Sequence, residues 1–171
     1  IVAAATAWPF PDQPRTTGLR CRRRPNRKPC PGLLRVILVE GEGHIAWACS
    51  SCDDSGLISG WRGSHWDLAP ADEVDEERRI TQAADEALDV VLPYDEYAAL
   101  LRIPWFDDDV RRTILAAQAD ETDVDLWGTE EELADLLDLV AGEANHERQK
   151  KWQDRLDAAG DKIEAALKSA R

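Results

Sequence analysis

No stretch of the chain approaches the ~18 apolar residues that a membrane-spanning helix requires, so no integral membrane protein of that kind is expected. Internal repeats are absent, which removes solenoid architectures, and no segment is of low complexity beyond one acidic run. Phe, Tyr and Trp make up only 6% of the residues, yet seven of them are Trp. The familiar enzyme signatures are missing too. The chain has no Gly-x-x-x-x-Gly-Lys-Ser/Thr phosphate loop and no Gly-x-Ser-x-Gly elbow. Gly41-Glu-Gly43-His-Ile-Ala46 fits the loose dinucleotide fingerprint, but that motif needs a helix after its glycines to receive a pyrophosphate. Cys49 and Cys52 follow within a few residues, so the glycines read as a hairpin turn. His146-Glu147 opens a zinc-protease motif whose second histidine is replaced by Lys150. Asp107, Asp108 and Asp109 offer oxygens to a hard cation, although acidic residues at a helix start already answer its unpaired amides and positive dipole end. No catalytic residue is expected.

Acidic side chains are lacking altogether between Gln13 and Val39, where Arg15, Arg20, Arg22, Arg23, Arg24, Arg27, Lys28 and Arg35 fall. The net charge of −13 hides this asymmetry. Residues 1–70 carry nine Lys/Arg against six Asp/Glu (+3), and residues 71–171 carry twelve against twenty-eight (−16). The two halves are therefore suited to different partners, with a basic patch set on an acidic protein.

The 171 residues suffice for one ordinary domain or two small ones, and the charge break favours two. The expected fold class is α+β. Residues 1–14 read as an irregular arm, because Pro9, Pro11 and Pro14 each remove a backbone donor and disfavour helix just before them. The branched run Leu33–Val39 predicts a strand, Glu40–Gly43 a turn and His44–Cys49 the returning strand of a hairpin. Residues 1–70 are thus expected to form a β zinc-ribbon-like module with its N-terminal arm. Pro70 and the acidic run Asp72–Glu77 mark residues 71–86 as a linker or a solvated helix. Residues 87–171 are expected to form an acidic α+β domain ending in long helices.

Within that half, Leu88–Leu92 and Val124–Trp127 predict strands, and Tyr97, Leu100 and Leu101 share a helix face that Pro104 ends. Asp107 is placed to cap a helix carrying Val110 and Ile114 one turn apart. Thr129-Glu-Glu-Glu132 is a capping box, followed by the stripe Leu133, Leu136, Leu137, Val140 and Ala144. Trp152, Leu156, Ala159, Ile163 and Ala166 alternate steps of four and three. This seam reads as a helix packed on its own domain, with a dimer seam as the alternative, since it falls short of the heptads of a coiled coil.

The chemistry concentrates in four cysteines spaced Cys21-x8-Cys30-x18-Cys49-x2-Cys52, two pairs flanking the hairpin. A Cys-x2-Cys turn places two thiolates on one Zn²⁺, and four thiolates complete a tetrahedron. The first pair is a weaker signal, because its loop exceeds the usual two to four residues, although Cys30-Pro31-Gly32 supplies a turn. A module this small buries little surface, and a structural Zn²⁺ contributes on the order of 10 kcal/mol, so metal binding and folding are expected to be coupled. With every position held by sulfur, such a zinc is structural. Two disulfides in an exported protein or a redox Cys-x2-Cys pair are the alternatives. His44 and His65 are potential substitutes as ligands. Trp47, Trp61 and Trp66 flank the second pair either as the small module's core or as stacking platforms for nucleic-acid bases.

Arg20-Cys-Arg-Arg-Arg-Pro25, Pro29-Cys-Pro-Gly32, Trp47-Ala-Cys-Ser-Ser-Cys-Asp-Asp54 and Gly56-Leu-Ile-Ser-Gly-Trp61 together resemble a bacterial group of uncharacterised zinc-ribbon proteins. Gly142-Glu-Ala-Asn-His-Glu147 fits the same group. The resemblance implies the metal and no activity.

The leading expectation is a non-enzymatic regulatory or adaptor protein. Its zinc module would contact nucleic-acid phosphate through Arg22, Arg23, Arg24, Arg27 and Lys28, while the acidic half binds protein. Such contacts position a nucleic acid without reading its sequence. A protein-interaction module, with an acidic nucleic-acid mimic as a variant, is the second class, and an enzyme with dispersed catalytic residues the third. The apolar opening Ile1–Phe10 lacks a basic flank, which leaves a signal peptide neither shown nor excluded, and the cytoplasm is the expected compartment.

Overall fold

Branched residues, alternating burial and one well-formed capping box account for most of the regular structure. A computed structural model describes residues 1–8, 12–39, 43–69, 87–104, 108–120 and 122–170. Its strands are β1 (Arg15–Arg20), β2 (Leu33–Val39), β3 (His44–Cys49), β4 (Ser55–Ile58), β5 (Leu88–Pro93), β6 (Gln118–Ala119) and β7 (Asp123–Gly128). Its helices are α1 (Val2–Thr6), α2 (Tyr94–Leu100), α3 (Asp108–Ala116), α4 (Glu130–His146) and α5 (Lys150–Ser169). The chain is mixed α and β, with one antiparallel sheet and C-terminal helices. No described helix is long and apolar enough to cross a membrane.

The strands lie in the order β4-β3-β2-β1-β6-β7-β5. The expected hairpin is present as β2 and β3, in register from Leu34↔Cys49 to Val39↔His44. The whole of the expected linker, residues 71–86, lies outside the described residues, as do Asp107 and the turn residues 40–42. Strands from either side of that linker nevertheless belong to one sheet, joined where Thr17 of β1 pairs with Gln118 of β6. The register of β1 on β2 shifts between Thr16 and Arg20, and Gly18 occupies the shift. Any Cβ at Gly18 would collide with the ring of Tyr97, so this junction requires glycine for close approach rather than for its dihedral angles.

The principal core lies between the β5–β7 end of the sheet and α2–α5. Leu92, Leu100, Val124, Leu126, Leu133 and Ile163 are fully buried there, each contributing roughly 1.5–3 kcal/mol relative to exposure. In α4 the Thr129 hydroxyl accepts from the Glu132 amide while the Glu132 carboxylate accepts from the Thr129 amide, completing the capping box. The C-terminal seam is occupied within the chain: Leu156, Ala159 and Ile163 are buried in this core, with Trp152 and Ala166 packed against it. Lys162 reaches from α5 to both carboxylate oxygens of the nearly buried Glu96 on α2, at 2.8 Å each.

The N-terminal arm is not wholly irregular. Val2–Thr6 is helical because the prolines begin only at position 9 and the small residues before them pack closely, leaving Ala3, Ala4, Ala5 and Thr6 buried. Arg15, counted from sequence with the basic patch, is also buried. Its Nη1 donates to the carbonyls of Ala116 and Ala117, the latter at 2.8 Å, and its Nη2 donates to Leu115 (2.6 Å) and Ala4. The guanidinium thereby caps the C-terminal end of α3, where carbonyls lack helical partners and the dipole favours a cation. Burial lowers Arg15 to about 10, against the pull of Tyr97 nearby; it remains a cation at neutral pH.

Candidate metal centre

The hairpin brings the four cysteines to one end of the sheet. Cys21 follows β1, Cys30 precedes β2, Cys49 ends β3 and Cys52 lies in the turn to β4. Their four sulfurs lie within 4.8 Å of one another. Cys21 Sγ is 3.8 Å from Cys52 Sγ, and Cys30 Sγ is 3.7 Å from Cys49 Sγ. A tetrahedron with Zn–S bonds of ~2.3 Å has sulfur–sulfur edges of about 3.8 Å, so the spacing is compatible with Zn²⁺. These separations exceed the ~2.05 Å of a disulfide, and all four thiols are free.

The long first loop, the weak point of the sequence motif, is pinched by the backbone. Cys21 donates its amide to Gly32 (2.8 Å) and Cys30 donates to Arg23 (2.9 Å), so only residues 24–29 project. That projecting part holds a single 3₁₀ turn, Pro25–Arg27, in which Arg27 takes a positive φ of 65°. The second pair is fixed by the Cys49 amide on Asp54 (2.7 Å) and the Ser50 amide on Leu33 (2.9 Å).

Amides also point at the sulfurs. Arg23 N–H donates to Cys21 Sγ at 3.4 Å, and Ser51 N–H to Cys49 Sγ at 3.3 Å. Burial works to raise the Cys49 thiol, but the Ser51 amide, Cys52 and Cys30 together carry it down to about 7. Amides aimed at sulfur favour the thiolate form, which is the form that binds a metal.

Asp54 is a further member of the site that the sequence motif does not single out. Its carboxylate accepts from Arg23 Nε at 3.1 Å and lies 3.7 Å from Cys21 Sγ, tying the first cysteine loop to the second. Gly32 is another. A Cβ there would run into Cys49 Sγ, so the backbone must pass the cluster without a side chain. Gly32→Ala is expected to weaken metal affinity at least about tenfold, in the range known for disturbed supporting shells, measured by competition with a chromophoric chelator. Gly142→Ala, on α4 with open space around it, is the control and leaves affinity unchanged.

Neither histidine joins the cluster. His44 pairs with Val39 at the opposite end of β3 from Cys49, and His65 packs edge-on against Trp66 at 5.2 Å. His146 ends α4, and Asp109 pairs with Arg112 at 2.8 Å in the first turn of α3.

The basic residues divide. Arg22, Arg24, Arg27 and Lys28 are exposed, whereas Arg23, also exposed, is engaged by Asp54. Arg20 lies 4.0 Å over the Tyr94 ring and donates to the Pro31 carbonyl (3.2 Å). The tryptophans divide as well: Trp61 is 5% exposed, Trp47 is half-buried, and Trp66 is 52% exposed. No family model, no curated protein and no solved structure matches the chain.

Proposed function

We propose that the protein is a non-enzymatic, zinc-dependent regulatory or adaptor protein whose cysteine-rich end, a zinc-ribbon-like unit, contacts nucleic-acid phosphate. The observation that carries this reading is the juxtaposition of the four-sulfur cluster with the short projecting loop it anchors. Arg24, Arg27 and Lys28 on that loop, and Arg22 at its base, are exposed and form no ion pair with any described residue. A bound metal would hold the loop at both ends, through Cys21 and Cys30, and so display four cations in a fixed arrangement at low entropic cost. Cations displayed on a protein of net charge −13 favour a polyanion locally while the remaining surface repels it. Binding should therefore be confined to this end.

The test has two parts. Protein purified without added metal should contain one Zn²⁺ per chain by elemental analysis and native mass spectrometry. Its affinity for an oligonucleotide should fall with salt at a log–log slope of about −3, as expected for four phosphate contacts. Replacing Arg24, Arg27 and Lys28 together by Ala should remove most of that slope. Salt-insensitive binding, or none at 50 mM salt, would reject the phosphate-contact reading. A protein-binding reading has one observation in its favour: Leu57, on the edge strand β4, is 69% exposed.

A further inference from the structure

Among the described residues Trp66 is the large aromatic residue that the fold leaves outward while fixing it in place. Leu68 beside it is buried and donates its amide to Thr6 Oγ1 at 2.9 Å, and the Thr6 hydroxyl reaches the Trp66 carbonyl at 3.5 Å. The backbone is therefore anchored on α1 although half of the residue's surface faces solvent. The Arg111 guanidinium stands 4.5 Å from the ring centroid. A single exposed hydrophobic residue is ordinary on a protein surface; an anchored indole beside an open cleft is a different case.

Two adjoining clefts, of about 640 and 420 Å³, meet here, and both are lined by Arg22, Leu19 and Trp66. Trp47 and Ile58 continue the first as an apolar wall, and Arg111 and Leu115 continue the second. Each falls in the ~300–1,000 Å³ range of clefts that enclose small ligands or parts of larger ones. Among the described residues Asp54 is the one carboxylate on their walls, and Arg23 holds it. The walls are thus apolar and aromatic, with positive charge at Arg22 and Arg111 that no ion pair compensates among the described residues. That combination suits a flat ring joined to an anion. Arg22 also stands at the base of the exposed loop, so the cleft and the loop form one continuous track.

We infer that this cleft takes a single-stranded nucleic-acid segment, with an unpaired base stacked on Trp66, its flanking phosphates on Arg22 and Arg111, and the strand continuing along the basic loop. The inference rests on the phosphate-binding reading above and adds to it a preference for unpaired strands. In a duplex the bases are stacked on one another and their faces are closed to an indole, whereas an unpaired strand offers one face per base.

The experiment uses the full zinc-loaded chain and a fluorescein-labelled dT12, compared with the same strand annealed to dA12, at 50 mM salt. The single strand is expected to bind at least tenfold more tightly and to quench tryptophan fluorescence. Trp66→Ala should weaken single-strand binding by roughly 5- to 150-fold, the range for losing one stacked base, and leave duplex binding unchanged. Trp66→Phe, which keeps an aromatic face, should restore most of the affinity and so separates stacking from any effect on folding. Equal, salt-sensitive binding of both forms that is indifferent to Trp66→Ala would overturn the stacking inference and leave the phosphate reading standing. Binding of neither form would overturn both.

Discussion

Cys30→Ser should lose its metal and melt about 8–16 °C or more below the parent chain. Cys30 is 3% exposed and sits with Cys21 and Leu34 in a small buried cluster. A second small cluster, of Ala5, Val36, Ile45 and Trp61, also supports the β1–β4 end of the sheet. Leu92, Leu126, Leu133, Leu136 and most other large buried side chains lie beneath the C-terminal helices instead. The cysteine end thus has little hydrophobic burial of its own, and on the zinc reading the metal would supply the missing cross-links. Structural zinc contributes on the order of 10 kcal/mol in small modules. Losing even about 4 kcal/mol of this lowers the melting temperature by roughly 8–16 °C in a chain of this size. Because Trp61 is buried in the neighbouring cluster, its near-ultraviolet circular dichroism should collapse in the same transition. Chelation of the parent chain should produce the same shift. Metal-free protein with an unchanged melting temperature would remove the structural role of the cluster.

The parts of the fold that sequence revealed are those fixed by neighbours in the chain. Leu33–Val39 and His44–Cys49 formed a legible hairpin because branched residues, a turn and register all lie within seventeen positions. The Thr129/Glu132 capping box was legible for the same reason. Strand β1 was not, since Arg-Thr-Thr-Gly-Leu-Arg lacks a clear apolar alternation. The joining of the two sheet halves was invisible because it runs through the two-residue strand β6, about a hundred positions away from its partner Thr17. At the candidate metal centre the clustering of the four cysteines could be read from their spacing. Asp54 and Gly32 could not, because their roles arise from loop geometry that no local motif encodes. Charge was the least reliable guide: Arg15 and Arg22 look alike in a basic segment, yet one is buried beneath a helix end and the other is exposed.

Arg15 is where that difference has its largest consequence, and Arg15→Met should cost on the order of 3 kcal/mol, because a buried acceptor left without its donor costs about 1–3 kcal/mol and several lose theirs together. Methionine fills much of the same volume but donates nothing, leaving the carbonyls of Ala4, Leu115, Ala116 and Ala117 without this donor. Those carbonyls belong to α1 and to the end of α3, while Arg15 itself begins β1. One guanidinium therefore fastens the N-terminal helix, the centre of the sheet and the helix that precedes the β6 junction. Arg15→Lys should recover little, because one ammonium cannot span carbonyls that the planar fork reaches with two nitrogens. Arg35→Met, at an exposed position in the register pair with Thr16, is the matched control and should change stability by no more than about 0.5 kcal/mol. Denaturant unfolding of the three variants decides the matter. If Arg15→Met unfolds at the parent's midpoint, the buried guanidinium does not join these elements. A large loss in Arg15→Met with Arg35→Met unaffected shows that the buried guanidinium supports the β1–β6 pairing by fastening the helices on either side of it.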